Sequence, residues 1–194
     1  MTLGITGGIG CGKSSAAQAF AARGFALIDS DALIREQVLT APSIVEAVRQ
    51  RYGDGVVTAA GTIDRSALAS RIFTDDTERH WLESLTHPVL LELWRRLLAG
   101  NPAGPWAVEV PLLFEQSLEN WFDFTICVAC SPSQQLARLE QRGLSRTLAG
   151  QRISKQLPLA RKIELADMVL WNDGSAAFLQ AQVDHLIAAL PALR

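Results

Sequence analysis

The chain has 194 residues, 48% of them hydrophobic and 20% charged, with 18 Lys and Arg against 20 Asp and Glu and a formal net charge of -2. Such a length suits one domain with an appendage, and such a composition buries a sizeable core, which excludes a wholly disordered chain. The slightly acidic balance argues against a nucleic-acid partner, no run approaches the roughly 18 consecutive apolar residues of a membrane span, and the opening MTLGITGGIGCGKSS lacks the positive flank and cleavage site of a secretory signal.

In chain order, Thr2–Thr6 (TLGIT) predicts a strand, followed by a Gly-rich turn and a helix over SSAAQAFAARG that stops at Gly24. Phe25–Asp29 is the second predicted strand, and 31–51 reads as two short helices split at Pro42. Residues 52–63, with Gly53, Gly55 and Gly61, read as loop or a weak hairpin. The helical pattern over 64–99 is expected to break at His87-Pro88, because proline has no backbone N–H to donate. Trp106–Val110 and Phe122–Ala129 are the third and fourth strands, with a helix at Ser131–Gly143. Met168–Trp171 is the fifth, ending in the turn Asn172-Asp173-Gly174, and Ser175–Leu190 closes the chain as a helix. Five short apolar runs joined by helical crossovers predict an α/β fold with a five-stranded parallel sheet covered on both faces.

Two local features stand apart. The cysteines are Cys11, Cys127 and Cys130. An odd count without a signal argues against a disulfide framework and for a reducing, cytoplasmic compartment, and the C-x-x-C pair inside TICVAC reads as buried, inert thiols. Between Arg138 and Lys162, seven basic residues are opposed only by Glu140. That density suits either a surface handling concentrated negative charge or a solvated helix face.

The sequence Gly7-Gly8-Ile9-Gly10-Cys11-Gly12-Lys13-Ser14 matches the phosphate-binding pattern G-x-x-x-x-G-K-S, between a predicted strand and a predicted helix. Glycines let the backbone wrap closely and aim N–H groups at phosphate oxygens, and the helix adds its positive N-terminal end. Lys13 reaches the β- and γ-phosphates and the Ser14 hydroxyl ligates Mg²⁺, so a nucleoside triphosphate with Mg²⁺ is the expected ligand. The guanine-reading string N-K-x-D is absent, which argues against a GTPase. A small-molecule kinase further needs an acceptor base and arginines that close over the moving phosphoryl group. Asp29 and Asp31 flank the end of the second strand, where open α/β sheets bind ligands. Asp31 could take a hydroxyl proton or merely cap the helix that follows. Glu109 ends the third strand and could support the water shell of Mg²⁺ on the substrate side, or be a solvated strand end. Arg138 and Arg142 share one helical face and could belong to a closing lid. Another nucleoside or nucleotide kinase, a nucleotide-dependent regulatory module and a nucleic-acid binder are the alternative readings.

Beyond the phosphate loop, the chain resembles the dephospho-coenzyme A kinase family almost end to end: GITGGIGCGKS, DSDALIR, GTIDRSALASRIF, LTHPV, VEVPLLFE, QRISKQLPLARKIELAD and VLWNDGS follow in family order. The resemblance implies phosphorylation by ATP of the 3′-hydroxyl of the dephospho-coenzyme A ribose. It implies a P-loop kinase core over 1–56, 99–137 and 167–194, a helical acceptor-binding insertion over 57–98 and a helical lid over 138–166. It makes Asp31 the catalytic base with Asp29 beside it, and sets Lys13, Arg138 and Arg142 at the reacting phosphates. It puts Gly8, Gly10, Cys11, Gly12, Ser14, Ser15 and Asn172 around ATP, with Asn172 near the adenine. Arg65, His87 and Pro88 would shape the acceptor side. A monomer or small homo-oligomer acting on ATP and dephospho-coenzyme A, with no membrane partner, is expected. Ser15, Ser30 and Cys11 depart from the residues common in the family, and Cys11 makes the loop a candidate for oxidation sensitivity.

Overall fold

The computed structural model describes residues 1–72, 75–101 and 104–190. In chain order the elements are β1 (Thr2–Gly7), α1 (Lys13–Ala21), β2 (Ala26–Asp29), α2 (Ser30–Leu33), a π-helical turn at Ile34–Val38, α3 (Pro42–Tyr52), α4 (Arg65–Ile72), α5 (Asp76–Gly100), β3 (Trp106–Glu109), β4 (Phe124–Ala129), α6 (Pro132–Gln141), α7 (Arg146–Ser154), α8 (Leu159–Leu165), β5 (Met168–Trp171) and α9 (Ala176–Ala189). They fall into two compact units, Met1–Asp29 with Ala103–Arg194, and Ser30–Pro102.

The first unit holds a five-stranded sheet in the order β2-β3-β1-β4-β5, with every neighbouring pair parallel. Central strands buried on both faces have no polar alternation, and β1 and β4 show this, each with five consecutive buried residues after an intermediate first one. The core forms where Leu3, Ile5, Ile126, Val128 and Leu170 of the sheet meet Phe20 of α1 and Leu179 and Val183 of α9. Small residues at Ala16, Ala17 and Ala19 let α1 lie close against the strands. All five predicted strands are present, with ends shifted by at most two residues, because each is a short apolar run long enough to cross the sheet and no longer.

The second unit is mainly helical. Pro42 opens α3 at its first turn, where its missing N–H costs nothing. The segment 52–63 forms a 3₁₀ turn at Asp54–Val56 and a single antiparallel bridge between Val57 and Ile63. Of the helical pattern predicted over 64–99, residues 73 and 74 lie outside the described residues. The expected break at His87-Pro88 is corrected: α5 runs through Pro88 as one helix of 25 residues. Proline removes one hydrogen bond from the ladder, but Asp75 caps the start by accepting from the Thr77 and Glu78 N–H groups, and Thr86, Leu90 and Trp94 anchor the stretch around the proline by burial. Among the described residues no helix is long and apolar enough to cross a membrane.

Candidate active site

The site begins at the carboxyl end of β1. Gly12 sits at φ 95, in the left-handed region, and a Cβ there would fall 2.1 Å from Asn172 Nδ2. Only glycine serves, because the turn into α1 and the close approach of Asn172 both use that space. Among the described residues no side chain caps α1 at Gly12, so its first amides face the loop's concavity. Such a cluster of N–H groups at a helix N-terminus favours an anion. Lys13 Nζ bends back over this concavity, donating to the carbonyls of Gly7 at 3.4 Å and Gly8 at 3.2 Å.

Three other elements bring side chains to the loop. Ser14 Oγ donates to Glu109 Oε1 at 3.0 Å, so the end of β3 supplies a carboxylate beside the hydroxyl. Glu109 in turn lies opposite Asp29 in the β2–β3 register. From the turn after β5, Asn172 Nδ2 donates to the Cys11 carbonyl at 2.9 Å. From α6, Arg138 donates to the same carbonyl at 3.4 Å and to the Asn172 carbonyl at 2.6 Å. Asp173 fastens that turn to the start of α6 by accepting from the Ser131 N–H and hydroxyl, both at 2.8 Å. Those bonds hold its carboxyl below the usual carboxylate range. A cleft of about 700 Å³ opens here, lined among others by Gly12, Ser14, Ser15, Arg138, Arg142 and Asn172.

The first unit thus gathers the loop, Lys13, Ser14, Ser15, Glu109, Arg138, Arg142 and Asn172 beyond the carboxyl ends of its strands. The remaining sequence-derived candidates belong to the second unit: Asp31 in the first turn of α2, Arg65 at the start of α4, and His87 and Pro88 within α5.

Sequence reasoning gave no role to two glutamines that grip the loop. Gln135 Nε2 donates to the Ile9 carbonyl at 2.7 Å, and Gln156 Oε1 accepts from the Ile9 N–H at 2.9 Å. For Gln135 a signal existed: with Leu139 it occupies the buried stripe of α6, an apolar place for a polar residue. Lys162, counted among the exposed cations of the basic segment, is fully buried. Its ammonium donates to Glu115 Oε1 at 2.8 Å and to the Pro111 carbonyl at 2.9 Å. Glu115 also accepts from the Leu157 N–H at 3.0 Å, so this ion pair locks the PLLFE segment to α8.

The cysteines pair differently from their spacing. Cys127 is buried in β4, and desolvation pushes its thiol up to about 12. Cys130 instead meets Cys11 of the loop, with the two sulfurs 3.3 Å apart. The thiol of Cys130 donates to Cys11, which lowers the Cys11 thiol to about 7, helped by the Lys13 charge, while Cys130 is raised.

A parallel-sheet core with a lysine-bearing phosphate loop describes many kinases; comparison with known proteins narrows the choice. The family model for dephospho-CoA kinase matches residues 1–177. The chain belongs to the dephospho-coenzyme A kinase family. A dephospho-CoA kinase of Thermosynechococcus vestitus is 44% identical over 192 residues, covering 98% of this chain and 95% of that protein. A crystal structure of a Thermus thermophilus protein superposes with a TM-score of 0.85 at 32% identity, over 98% of this chain and 97% of that one. The dephospho-CoA kinase of Campylobacter jejuni shares the fold, with a TM-score of 0.72 at 24% identity over 97% and 96% of the two chains. The reaction of this family is ATP-dependent phosphorylation of the 3′-hydroxyl of the dephospho-coenzyme A ribose, which yields coenzyme A and ADP. As a P-loop kinase of coenzyme A synthesis, the chain takes ATP as its phosphoryl donor.

Proposed function

We propose a division of labour among named residues for this transfer. Loop amides at the start of α1 hold the triphosphate, and Lys13 leaves the loop carbonyls for the β- and γ-phosphate oxygens. Asn172, with Ser15, borders the nucleoside end of the cleft. Asp31, two residues beyond the end of β2 and with Asp29 next to it, accepts the proton of the ribose 3′-hydroxyl. The ribose oxygen forms a bond to the γ-phosphorus as the bond to the bridging oxygen breaks, and ADP departs. Arg138 and Arg142 neutralise the charge carried by the moving phosphoryl group, and the segment 138–166 acts as a lid that excludes water. The segment 57–98 takes up the acceptor, with Arg65, His87 and Pro88 shaping that side.

Hard oxygen donors suit Mg²⁺, and the Ser14 hydroxyl with Glu109 at 3.0 Å fits an ion that keeps most of its water. Ser14 would hold it directly and Glu109 through its water shell; when bound, it supplies positive charge to the β- and γ-oxygens. We place the enzyme in the cytoplasm as a monomer or small homo-oligomer. The observation that supports the reading is the turn at Gly12, where α1 starts without a side-chain cap and the Lys13 ammonium folds back over the glycine loop, in a chain of this family. Mass spectrometry of dephospho-coenzyme A incubated with ATP, Mg²⁺ and the protein tests it. A gain of one phosphoryl group on the ribose is expected. Phosphate appearing on AMP or a nucleoside, with dephospho-coenzyme A unchanged, would overturn it.

A further inference from the structure

We propose that Cys11 and Cys130 form a modification site, a dithiol that a hydroperoxide converts to a disulfide and so disables the phosphate loop, beyond the family's phosphoryl-transfer activity. The two residues are 119 positions apart, yet their sulfurs lie 3.3 Å from each other. A disulfide needs about 2.05 Å, so the sulfurs must close by roughly 1.2 Å. Cys11 stands in the middle of the loop, and Cys130 directly follows β4. Lys13 and the Cys130 S–H both favour thiolate at Cys11, which makes it the attacking sulfur. Cys11 is 0% and Cys130 2% exposed, which selects a water-sized oxidant over a bulky one.

The Cys11 thiolate attacks one oxygen of hydrogen peroxide; an S–O bond forms, the O–O bond breaks, and hydroxide leaves as water after taking a proton. The Cys130 sulfur then attacks the Cys11 sulfenic sulfur; the S–S bond forms, the S–O bond breaks, and the second hydroxide leaves as water with the Cys130 proton. Two thiols lose two electrons and the peroxide gains them. A small dithiol reductant reverses the change.

The consequence follows from what Cys11 carries. Its carbonyl accepts from Asn172 and Arg138, and its N–H donates to the Gly8 carbonyl at 3.1 Å, closing the turn of the loop. Drawing its side chain toward β4 shifts that peptide, and a misplacement of about 1 Å in a binding constellation costs on the order of 10²-fold.

The test treats the reduced full-length protein with hydrogen peroxide, denatures it in N-ethylmaleimide, and maps its peptides by mass, with ATP affinity measured by calorimetry in parallel. Of the three free cysteines, Cys127 alone is expected to take the label. The peptides of Cys11 and Cys130 should be joined, ATP affinity should fall by about 10²-fold, and dithiothreitol should restore both. In Cys130→Ser, ATP should bind as in the parent before peroxide, and no joined peptide should form after it. All three cysteines still labelled after peroxide would overturn the site, whatever the enzyme phosphorylates. A joined peptide with unchanged ATP affinity would overturn its control of the loop.

Discussion

Lys13 shows how a single side chain braces the loop that carries it. Its ammonium rests on the Gly7 and Gly8 carbonyls, which ties the end of the loop back to its start. Replacing it removes both this brace and a preorganised charge. Lys13→Ala should lower kcat by about 10²–10³-fold, the scale for one charge stabiliser, as measured by steady-state ADP release. Asp31 poses a cleaner question, because α2 starts one residue earlier, at Ser30, so Asp31 lies within the first turn and the capping alternative is corrected. Asparagine keeps the size of aspartate but cannot take a proton. Asp31→Asn should therefore lose about 10²–10⁴-fold in kcat, measured by steady-state ADP release. An Asn variant of near-parental kcat would remove Asp31 from the role of base.

Between elements, the most buried ion pair described in the first unit is Lys162 with Glu115. The pair is unequal: Lys162 is 0% exposed and Glu115 20%. Removing the carboxylate strands a fully buried ammonium, whereas removing the ammonium leaves a carboxylate with some access to water. Glu115→Ala should cost about 3–5 kcal/mol in urea unfolding and Lys162→Met distinctly less. The reverse order would mean that the burial of Lys162 does not set the cost of breaking the pair. In the second unit, α3 is tied to α5 by Arg51 and Tyr52 on Glu78, with Arg51 2.6 Å from a carboxylate oxygen and stacked 4.5 Å over the Trp81 ring. The Arg51 bond, then that of Tyr52, takes the Glu78 carboxyl from its ordinary 4.5 to about 2. A carboxyl depressed by folding stabilises above its unfolded value and loses that contribution as pH falls through the folded one. Stability should thus decline between about pH 5 and 2, and Glu78→Gln should flatten that part of the curve, followed by helical circular dichroism. Tyr52 moves the other way, to about 12, mainly by desolvation, so its contribution is present below its ordinary value and lost as pH rises through 12. At the sheet's edge, the Gln182 carboxamide accepts from the Trp171 N–H at 2.9 Å and donates to its carbonyl at 2.7 Å, standing in for a neighbouring strand.

For the whole molecule, the proposed role of the loop joins binding to stability. A ligand that binds only the folded chain stabilises it by mass action, about 2.7 kcal/mol at 100 times its Kd. ATP should raise the melting temperature in a concentration-dependent way. Gly12→Ala should abolish that rise, because its Cβ would meet Asn172 Nδ2 at 2.1 Å in a backbone conformation that alanine disfavours. A rise of equal size in the variant would place ATP elsewhere.

The chain's own order of residues determined the five strands, the glycine loop and the helix behind it, because each depends on neighbours only a few positions apart. The same locality made the Asn172 turn and the Arg138–Arg142 face legible. What joins distant positions was decided by the tertiary structure alone. Cys130 has Cys127 three residues away yet meets Cys11, and Lys162 leaves a run of exposed cations to enter the core. A spacing rule sees the nearby partner; parallel pairing of β1 with β4 selects the distant one. Pro88 shows the same balance from the other side. Its local cost was visible in the sequence, whereas the burial of Thr86, Leu90 and Trp94 that outweighs it exists only once α5 is packed.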